Sequence, residues 1–328
     1  MPGTTDNSRG VGEILAAVTP IFLVVAAGFA LTRGGLFSRD DMSVLSRFVV
    51  KVALPLLVFM NVVGRAPSEI FHPAYLLNYA VAAMIMFGLG YVWVRVSGGD
   101  RGRSPVVGLL MSSTNNGFIG FAMFLILIPE FAGAAVGMDM LVDNVLIIPL
   151  FLFLCEQATN RGVTVGQRLV KTLRGVILHP MVIAIILALV TTAVGWELPT
   201  VLSRAVGLVA QASSGVALFS VGGMLVGLRL GGMLSDVVAT AAGKLIVMPA
   251  ISLGLIFAYE TAGLPALPHE LKVAALLTGA LPTFSIAPAL ADPYGHSGLA
   301  SASMMTQVVL SAFSMTAWLA VAHTLGWM

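Results

Sequence analysis

Long apolar stretches and short polar connections alternate along the whole chain. A helix needs about 20 apolar residues to cross the hydrocarbon core of a bilayer, so each apolar stretch predicts a transmembrane helix. Ten stretches qualify: 12–32, 46–64, 74–96, 105–129, 137–157, 176–195, 198–228, 235–259, 271–291 and 299–322. None of the connections is long enough for a soluble domain. The pattern therefore predicts an all-α polytopic membrane protein that forms one transmembrane unit over residues 1–328.

The fourth stretch has a polar centre, Ser-Ser-Thr-Asn-Asn-Gly-Phe-Ile-Gly-Phe at 112–121. Hydrocarbon offers no partner to the amides of Asn115 and Asn116, so these side chains must face protein, water or a ligand. Gly117 and Gly120 relax the helix at the same point. We interpret the stretch as a helix broken near the middle of the membrane, from which secondary transporters commonly build substrate sites. A continuous helix whose polar groups bond to a neighbouring helix is the alternative.

The two halves of the chain resemble each other. Three short matches occur at offsets of 160, 157 and 163 residues: Thr19-Pro20 with His179-Pro180, Leu45-Ser46-Arg47 with Leu202-Ser203-Arg204, and Asp143-Asn144-Val145-Leu146 with Thr306-Gln307-Val308-Val309. Nearly constant offsets are typical of an internal repeat. They predict a 5+5 repeat, with repeat 1 over 12–157 and repeat 2 over 176–322. Because each unit has an odd number of spans, the second is inverted in the membrane.

The repeat predicts a break in the ninth stretch at the position that matches the fourth. Pro282 and Pro288 lie there, and each removes a backbone donor and disfavours helix at the residue before it. Thr283 and Ser285 stand between them, with hydroxyl groups that can bond to freed carbonyls. A simple proline kink, which membrane helices tolerate, is the alternative. Interrupted segments at matching positions of two halves indicate a binding site more strongly than either does alone, so we expect helices 4 and 9 both to be broken.

Composition supports a membrane location and limits the chemistry. The chain is 58% hydrophobic and 10% charged, with a mean hydropathy of +0.98, whereas soluble domains have about 25% charged residues. The only cysteine, Cys155, excludes a disulfide framework or thiolate metal site. No metal-ligand spacing, nucleophile constellation or Walker motif is present, so we expect neither an enzyme, a metal site nor an ATP-driven pump. The net charge of +2 comes from scattered basic residues, which indicates no nucleic-acid partner.

The lysines and arginines predict the orientation in the membrane. Twelve of them fall on one side of the ten predicted helices and four on the other, and Lys51 lies inside the second stretch. Lys244 counts among the twelve because we place it near the cytoplasmic end of the eighth stretch, where its side chain would reach the interface. Attraction of an anionic substrate on the inside is the alternative role. Since basic residues favour the cytoplasmic side, both termini are predicted to be non-cytoplasmic.

Short motifs in a fixed order cover nearly the whole chain. They are Gly28-Phe29-Ala30-Leu31, Gly35-Leu36-Phe37-Ser38, Leu45-Ser46-Arg47, Leu54-Pro55-Leu56-Leu57-Val58-Phe59, Asn115-Asn116-Gly117-Phe118-Ile119-Gly120, Leu281-Pro282-Thr283, Ala289-Leu290-Ala291 and Tyr294-Gly295. In these motifs the sequence resembles the auxin efflux carrier family, which includes the plant PIN exporters and bacterial malonate-carrier-like permeases. The long cytoplasmic loop of the plant exporters is absent, because about 18 residues join the fifth and sixth stretches.

The resemblance implies a ten-helix fold shared with the bile-acid sodium symporters, in which helices 4 and 9 unwind and cross at the midplane. It also implies a scaffold domain at 12–64 and 176–228, a mobile transport domain at 74–157 and 235–322, and a homodimer.

The candidate substrate-binding residues come mainly from the two interruptions. They are Asn115, Asn116, Gly117, Pro282, Thr283, Ser285 and, facing the crossover from the second stretch, Asn61. A neutral amide can donate to a carboxylate, and the half-helix that starts near Gly117 adds a partial positive charge at its N-terminus. Thr283 and Ser285 could supply further donors or only cap the freed backbone.

Asp143 is the candidate for coupling transport to an ion. An acid at membrane depth is costly and usually functional. It could bind sodium, exchange a proton or accept an amide hydrogen bond; the alternative is that it lies near the outer surface and is wet. The coupling candidates also include Asn144, which stands beside Asp143, and Gln307, which matches Asn144 in the second half of the repeat. No cofactor is expected apart from a coupling proton or Na⁺.

These observations predict a secondary transporter of a small organic anion, a mono- or dicarboxylate such as auxin or malonate, that works by alternating access of the elevator type. A sodium-coupled symporter of the bile-acid carrier type is the alternative, and a non-transporting membrane sensor or scaffold is the alternative from another class. We expect a homodimer in the lipid bilayer of a bacterial inner membrane.

Overall fold

The computed structural model describes residues 7–63, 71–158, 180–227, 233–263 and 266–328. Within those ranges all regular structure is helical, and no strand is present. The α-helices, numbered along the chain, are α1 Asn7–Arg33, α2 Arg39–Phe48, α3 Leu54–Val62, α4 Pro73–Val96, α5 Arg103–Ser112, α6 Phe121–Leu127, α7 Ala132–Val142, α8 Ile148–Ala158, α9 Pro180–Val194, α10 Thr200–Met224, α11 Leu234–Ala242, α12 Met248–Thr261, α13 His269–Ala280, α14 Ala287–Ala291 and α15 Ser297–Thr324. Wider π-helical turns at Val49–Ala53, Asp143–Ile147 and Gly243–Val247 join consecutive helices, and a fourth at Asn116–Gly120 leads directly into α6.

The prediction of an all-α protein with several membrane-spanning helices is confirmed. Among the described residues, seven helical stretches are long and apolar enough to cross a membrane: Arg39–Met60, Pro73–Val96, Arg103–Leu127, Ala132–Ala158, Thr200–Met224, Leu234–Thr261 and Ser297–Thr324. Shorter apolar helices at Phe22–Arg33 and Ile183–Val194 overlap two further predicted stretches. The ninth stretch is divided between α13 and α14. The count of ten and the inverted repeat stay predictions.

One membrane-spanning stretch is enclosed by the others. In the apolar part of Arg103–Leu127, 83% of the residues are buried inside the protein, against 33–44% in the other six candidates. Every residue of α5 from Ser104 to Ser112 is buried, as is every residue of α13 from Leu271 to Ala280. The two predicted broken helices therefore pass through the protein interior, where polar groups can find protein partners instead of lipid.

Helices α1 and α10 approach each other most closely at two glycines. A Cβ atom on Gly28 would lie 2.0 Å from the backbone oxygen of Phe219, and one on Gly222 would lie 1.9 Å from the backbone oxygen of Val25. Both distances are far below van der Waals contact, and the obstructing atoms belong to the backbone and cannot rotate away. Small residues allow membrane helices to pack at this distance.

Gly222→Ala should therefore destabilise the protein, because its methyl group would push α10 away from α1. Overpacking of a well-packed interior costs about 1–3 kcal/mol. Gly215→Ala on the same helix is the matched control, since a Cβ atom there meets nothing within 4 Å. The melting temperature in detergent should fall for Gly222→Ala and stay level or rise for Gly215→Ala. Equal melting temperatures for the two variants would contradict the close approach of α1 and α10.

Candidate functional site

The fourth predicted stretch is interrupted where its polar residues cluster. Helix α5 ends at Ser112, Ser113 adopts an extended conformation with ψ 155°, and the chain resumes helical structure at Asn116. The hydroxyl of Ser112 donates to the carbonyl of Gly108 (2.8 Å), and the hydroxyl of Ser113 donates to the carbonyl of Leu109 (2.7 Å). These bonds add a second donor to carbonyl groups near the end of α5, since Leu109 also accepts the backbone N–H of Ser113 at 2.9 Å.

The ninth stretch is interrupted at its proline-rich centre. Helix α13 ends at Ala280, Leu281 is extended with ψ 150°, and α14 begins at Ala287. The backbone N–H of Thr283, which the break leaves without a helical partner, donates to Gln307 Oε1 at 2.8 Å. Gln307 is fully buried, and its amide nitrogen donates to the carbonyl of Leu110 at 3.1 Å. Gln307 thus joins the second interruption to the helix that precedes the first.

The two interruptions contact each other directly. The backbone N–H of Asn115 donates to the carbonyl of Pro282 at 2.8 Å. The hydroxyls of Ser113 and Thr283 share a hydrogen bond of 2.6 Å, and Asn115 Nδ2 donates to Ser285 Oγ at 3.1 Å. The structure therefore brings together four of the candidate substrate-binding residues, which lie about half the chain length apart in the sequence.

A cavity of about 80 Å³ lies at this contact. Asn115, Asn116 and Gly117 line it from the first interruption, and Ser285 lines it from the second. Asp143, Asn144 and Met140 close one side, and Leu54 of α3 closes another. One water molecule requires about 10–15 Å³ of such volume, so the cavity has room for several waters or for a small organic molecule.

Asp143 lies inside the protein, so the alternative that places it at a wet surface is wrong. Its side chain is 6% exposed and lines the cavity. The Tyr79 hydroxyl donates to Asp143 Oδ1 at 2.7 Å, and Asn116 Nδ2 donates to Asp143 Oδ2 at 3.2 Å. An acid with two donors at membrane depth is held in place by its partners, and one of these partners belongs to the first interruption.

The remaining candidates have different positions. Asn144 is half-buried at the cavity, and its Nδ2 donates to the carbonyl of Met140 at 2.8 Å. Gln307 does not line the cavity, and its side chain accepts the hydrogen bond from the backbone N–H of Thr283. The side chain of Asn61 lies outside the described residues, although its backbone belongs to α3.

Lys244 is the main correction to the sequence interpretation. It is fully buried, so its placement near the cytoplasmic end of a helix is wrong. Its ammonium group donates to Thr114 Oγ1 at 2.7 Å and to the carbonyl of Thr278 at 3.2 Å, and it lies 2.9 Å from Met248 Sδ. The signal was available, because Lys244 stands well inside the eighth apolar stretch, and a charge at that depth is usually functional. Removing it from the charge count leaves eleven cations against four, which predicts the same orientation.

A second acid, Asp139, also escaped the sequence interpretation. Thr278 Oγ1 donates to Asp139 Oδ2 at 2.9 Å, and the Tyr75 hydroxyl lies 3.1 Å from Thr278 Oγ1. Thr278 uses its single proton for the carboxylate, so Tyr75 donates to Thr278. All three side chains are fully buried. Asp139 stands one helical turn before Asp143, a spacing that places the two carboxylates on the same face of their helix.

Three buried oxygen atoms near the interruptions accept no hydrogen bond from the described residues. They are Asn115 Oδ1, Asn116 Oδ1 and Asp139 Oδ1. A buried oxygen without a partner costs about 1–3 kcal/mol, so such atoms are rare and often mark functional positions. The described residues contain no group of three or more His, Cys, Asp or Glu side chains that could hold a metal ion.

Sequence comparison identifies the family. A family model described as "Membrane transport protein" matches residues 13–319 of this chain. The chain belongs to this family, the auxin efflux carriers. The predicted resemblance is therefore confirmed, and the membrane transport protein family accounts for nearly the whole sequence.

Two relatives in the membrane transport protein family differ in how much of the chain they match. A protein from Escherichia coli (strain K12) named "Uncharacterized transporter YfdV" is 26% identical over 220 residues, which are 65% of this chain and 67% of that protein. A protein from Rhizobium meliloti (strain 1021) named "Putative malonate transporter" is 23% identical over 315 residues, which are 93% of this chain and 95% of that protein. The family and both relatives are named as transporters and not as enzymes.

Proposed function

We propose that this protein is a secondary transporter of a small organic anion, and that the anion binds where the two interrupted helices meet. The observation that supports this most directly is the cavity itself. Two asparagines of the first interruption and Ser285 of the second converge on it, and the helical segment that starts at Asn116 begins beside it. Amide and hydroxyl donors can bind a carboxylate, and a helix N-terminus contributes a partial positive charge.

The substrate class we propose is a mono- or dicarboxylate, auxin- or malonate-like. The volume of about 80 Å³ favours a small acid, and malonate is the substrate in the name of the Rhizobium meliloti relative. Hydroxyl and amide groups and the carboxylate of Asp143 line the cavity, and its lining residues include no lysine or arginine. Such a site can release its anion, which a carrier must do in every cycle.

The contacts of Asp143 and Gln307 support the proposed five-plus-five inverted repeat. In the predicted repeat Asp143 aligns with Thr306 and Asn144 with Gln307, so Asp143 and Gln307 occupy neighbouring positions. Asp143 accepts a hydrogen bond from Asn116 of the first interruption, and Gln307 accepts one from Thr283 of the second. Each residue thus supports the interruption of its own half, as neighbouring positions of two similar units can.

We propose an elevator mechanism in which residues 74–157 and 235–322 move together past a scaffold at 12–64 and 176–228. The lining of the cavity supports this division, because Leu54 comes from the scaffold and all the other lining residues come from the mobile part. A substrate held at such a boundary can change sides of the membrane when one part slides against the other. Further parts of the proposal are a homodimer, residence in a bacterial inner membrane, both termini outside the cytoplasm, and a proton or Na⁺ as the coupling ion.

Electrical recording from purified protein in liposomes on a solid support tests the function. Addition of malonate and other small carboxylates, with and without sodium, should evoke a saturable current. The current should be absent from protein-free liposomes and much weaker for large hydrophobic acids. If the current requires sodium, the bile-acid carrier type of symport is correct instead. If no carboxylate evokes a current and none is taken up in a radiotracer assay, the protein is not a carrier of this class, and a sensor or scaffold role takes its place.

A further inference from the structure

The ammonium group of Lys244 touches both interrupted helices at once. It donates to the hydroxyl of Thr114, the residue before Asn115, and to the backbone carbonyl of Thr278 in the last turn of α13. Thr114 itself donates to the same carbonyl at 3.3 Å. Lys244 lies in the π-helical turn Gly243–Val247, and π-helical turns inside α-helices occur frequently at functional sites. One cation therefore connects the two breaks behind the cavity.

The groups around this ammonium are of the kind that bind sodium in transporters. A backbone carbonyl at the end of an interrupted helix and a nearby hydroxyl oxygen are typical Na⁺ ligands, because the C-terminal end of a helix has a partial negative charge. Helix α13 ends at Ala280, so the carbonyl of Thr278 belongs to its final turn, where helical partners are lacking. The position would attract a cation, and the protonated side chain of Lys244 supplies one from within the chain.

Two carboxylates balance this buried charge through hydroxyl groups. The Tyr79 hydroxyl lies 3.1 Å from Thr114 Oγ1 and donates to Asp143. On the other side, the hydroxyl of Thr278 donates to Asp139. A buried ammonium without opposite charges nearby would cost several kcal/mol. Lys244, Asp139 and Asp143 therefore form one electrostatic unit that spans both interruptions.

We propose that the ammonium group of Lys244 is a built-in substitute for a coupling sodium ion. It holds the two interrupted helices together as the ion would, so that anion transport needs no sodium. The inference rests on the proposed transport function for its consequence, but its structural part can be tested without any transport. It assigns this chain to sodium-independent carriers and separates it from symporters that bind Na⁺ between their broken helices.

Thermal unfolding of the purified protein in detergent tests the cation site. Wild-type protein, Lys244→Ala and the control Lys272→Ala are each titrated with sodium chloride, choline chloride and methylammonium chloride at constant ionic strength. Lys272 is a suitable control because it is also largely buried and belongs to an interrupted helix. Its ammonium group lies 2.5 Å from a carboxylate oxygen of Glu260, and neither residue lines the cavity. A cation that binds only the folded state raises the melting temperature in a saturable way.

We expect the wild type and Lys272→Ala to show no difference between sodium and choline. Lys244→Ala should melt several degrees lower than the wild type in choline, and sodium or methylammonium should restore part of the loss in a saturable way. A wild type that is itself stabilised specifically by sodium would overturn the proposal. A folded Lys244→Ala protein that responds to neither cation would overturn it too. If Lys244→Ala does not fold, Lys244→Ser is used, which leaves the same space and adds one oxygen ligand.

Transport by the same proteins gives the second measurement. Carboxylate uptake by Lys244→Ala in sodium-free buffer should be about tenfold or more below wild type, because a hydrogen-bonded charge at the site is lost. Sodium or methylammonium should recover part of this uptake, a response that loss of a purely structural contact would not give. Failure of the wild type to transport any carboxylate would contradict the proposed function, whereas the unfolding results would still decide the cation site.

Discussion

Asn115→Ala should reduce carboxylate transport by about 10- to 100-fold, because a hydrogen bond to a charged group contributes about 1.5–3 kcal/mol. The protein should remain folded, since the backbone N–H of Asn115 still donates to the carbonyl of Pro282. The amide oxygen of Asn115 has no partner among the described residues, and the amide nitrogen donates to Ser285 Oγ, a half-buried hydroxyl that lines the cavity. Radiotracer uptake in liposomes measures the loss, and the melting temperature in detergent verifies the fold.

Ser285→Ala is the matched control for this prediction. Ser285 Oγ accepts the hydrogen bond from Asn115 Nδ2 at 3.1 Å, so its removal breaks the contact between these two side chains but leaves the amide in place. We expect a clearly smaller loss of transport than for Asn115→Ala. An equal loss would mean that Asn115 acts by joining the two interruptions, and wild-type transport by Asn115→Ala would refute the proposed binding site.

Asp143→Asn should abolish accumulation of substrate against a gradient while allowing exchange. Tyr79 and Asn116 hold the carboxylate of Asp143 beside the cavity, where its charge can respond to the coupling ion or proton. An amide keeps the size of the side chain but removes the charge. Net uptake driven by an imposed ion or pH gradient should therefore fall by about tenfold or more, since contacts with a charged group are weakened. Counterflow of labelled for unlabelled substrate should persist.

Asp236→Asn is the control for the loss of a buried acid. Asp236 is 2% exposed and pairs with Arg103 at 3.1 Å, in a contact that does not line the cavity. This variant should lose stability but retain gradient-driven uptake. If Asp143→Asn still accumulates substrate as the wild type does, Asp143 is not the coupling group, and Asp139 becomes the acid to test. If Asp143→Asn and Asp236→Asn lose substrate accumulation to the same extent, the loss comes from general damage to the protein and not from the removal of a coupling group.

Much of the site could be predicted from the sequence because the bilayer restricts polar groups severely. Asn115, Asn116 and Pro282 cannot lie in an unbroken lipid-facing helix without an energetic penalty, so their presence in apolar stretches marks the interruptions directly. The same argument applies to Asp143, whose burial the structure bears out. It applies equally to Lys244, and the interpretation erred there because a lysine near a predicted helix end is more often interfacial.

Local composition and short motifs were enough to predict the membrane class, the family and the positions of both breaks. Which polar groups meet depends on the tertiary structure. Lys244 and Thr114 are 130 residues apart, and Tyr75 and Thr278 are 203 residues apart. Helices that are apolar on every side have no polar face from which to predict their neighbours. Close packing at Gly28 and Gly222 is likewise decided by how two distant helices fit together, since no local pattern specifies which glycine must admit a backbone.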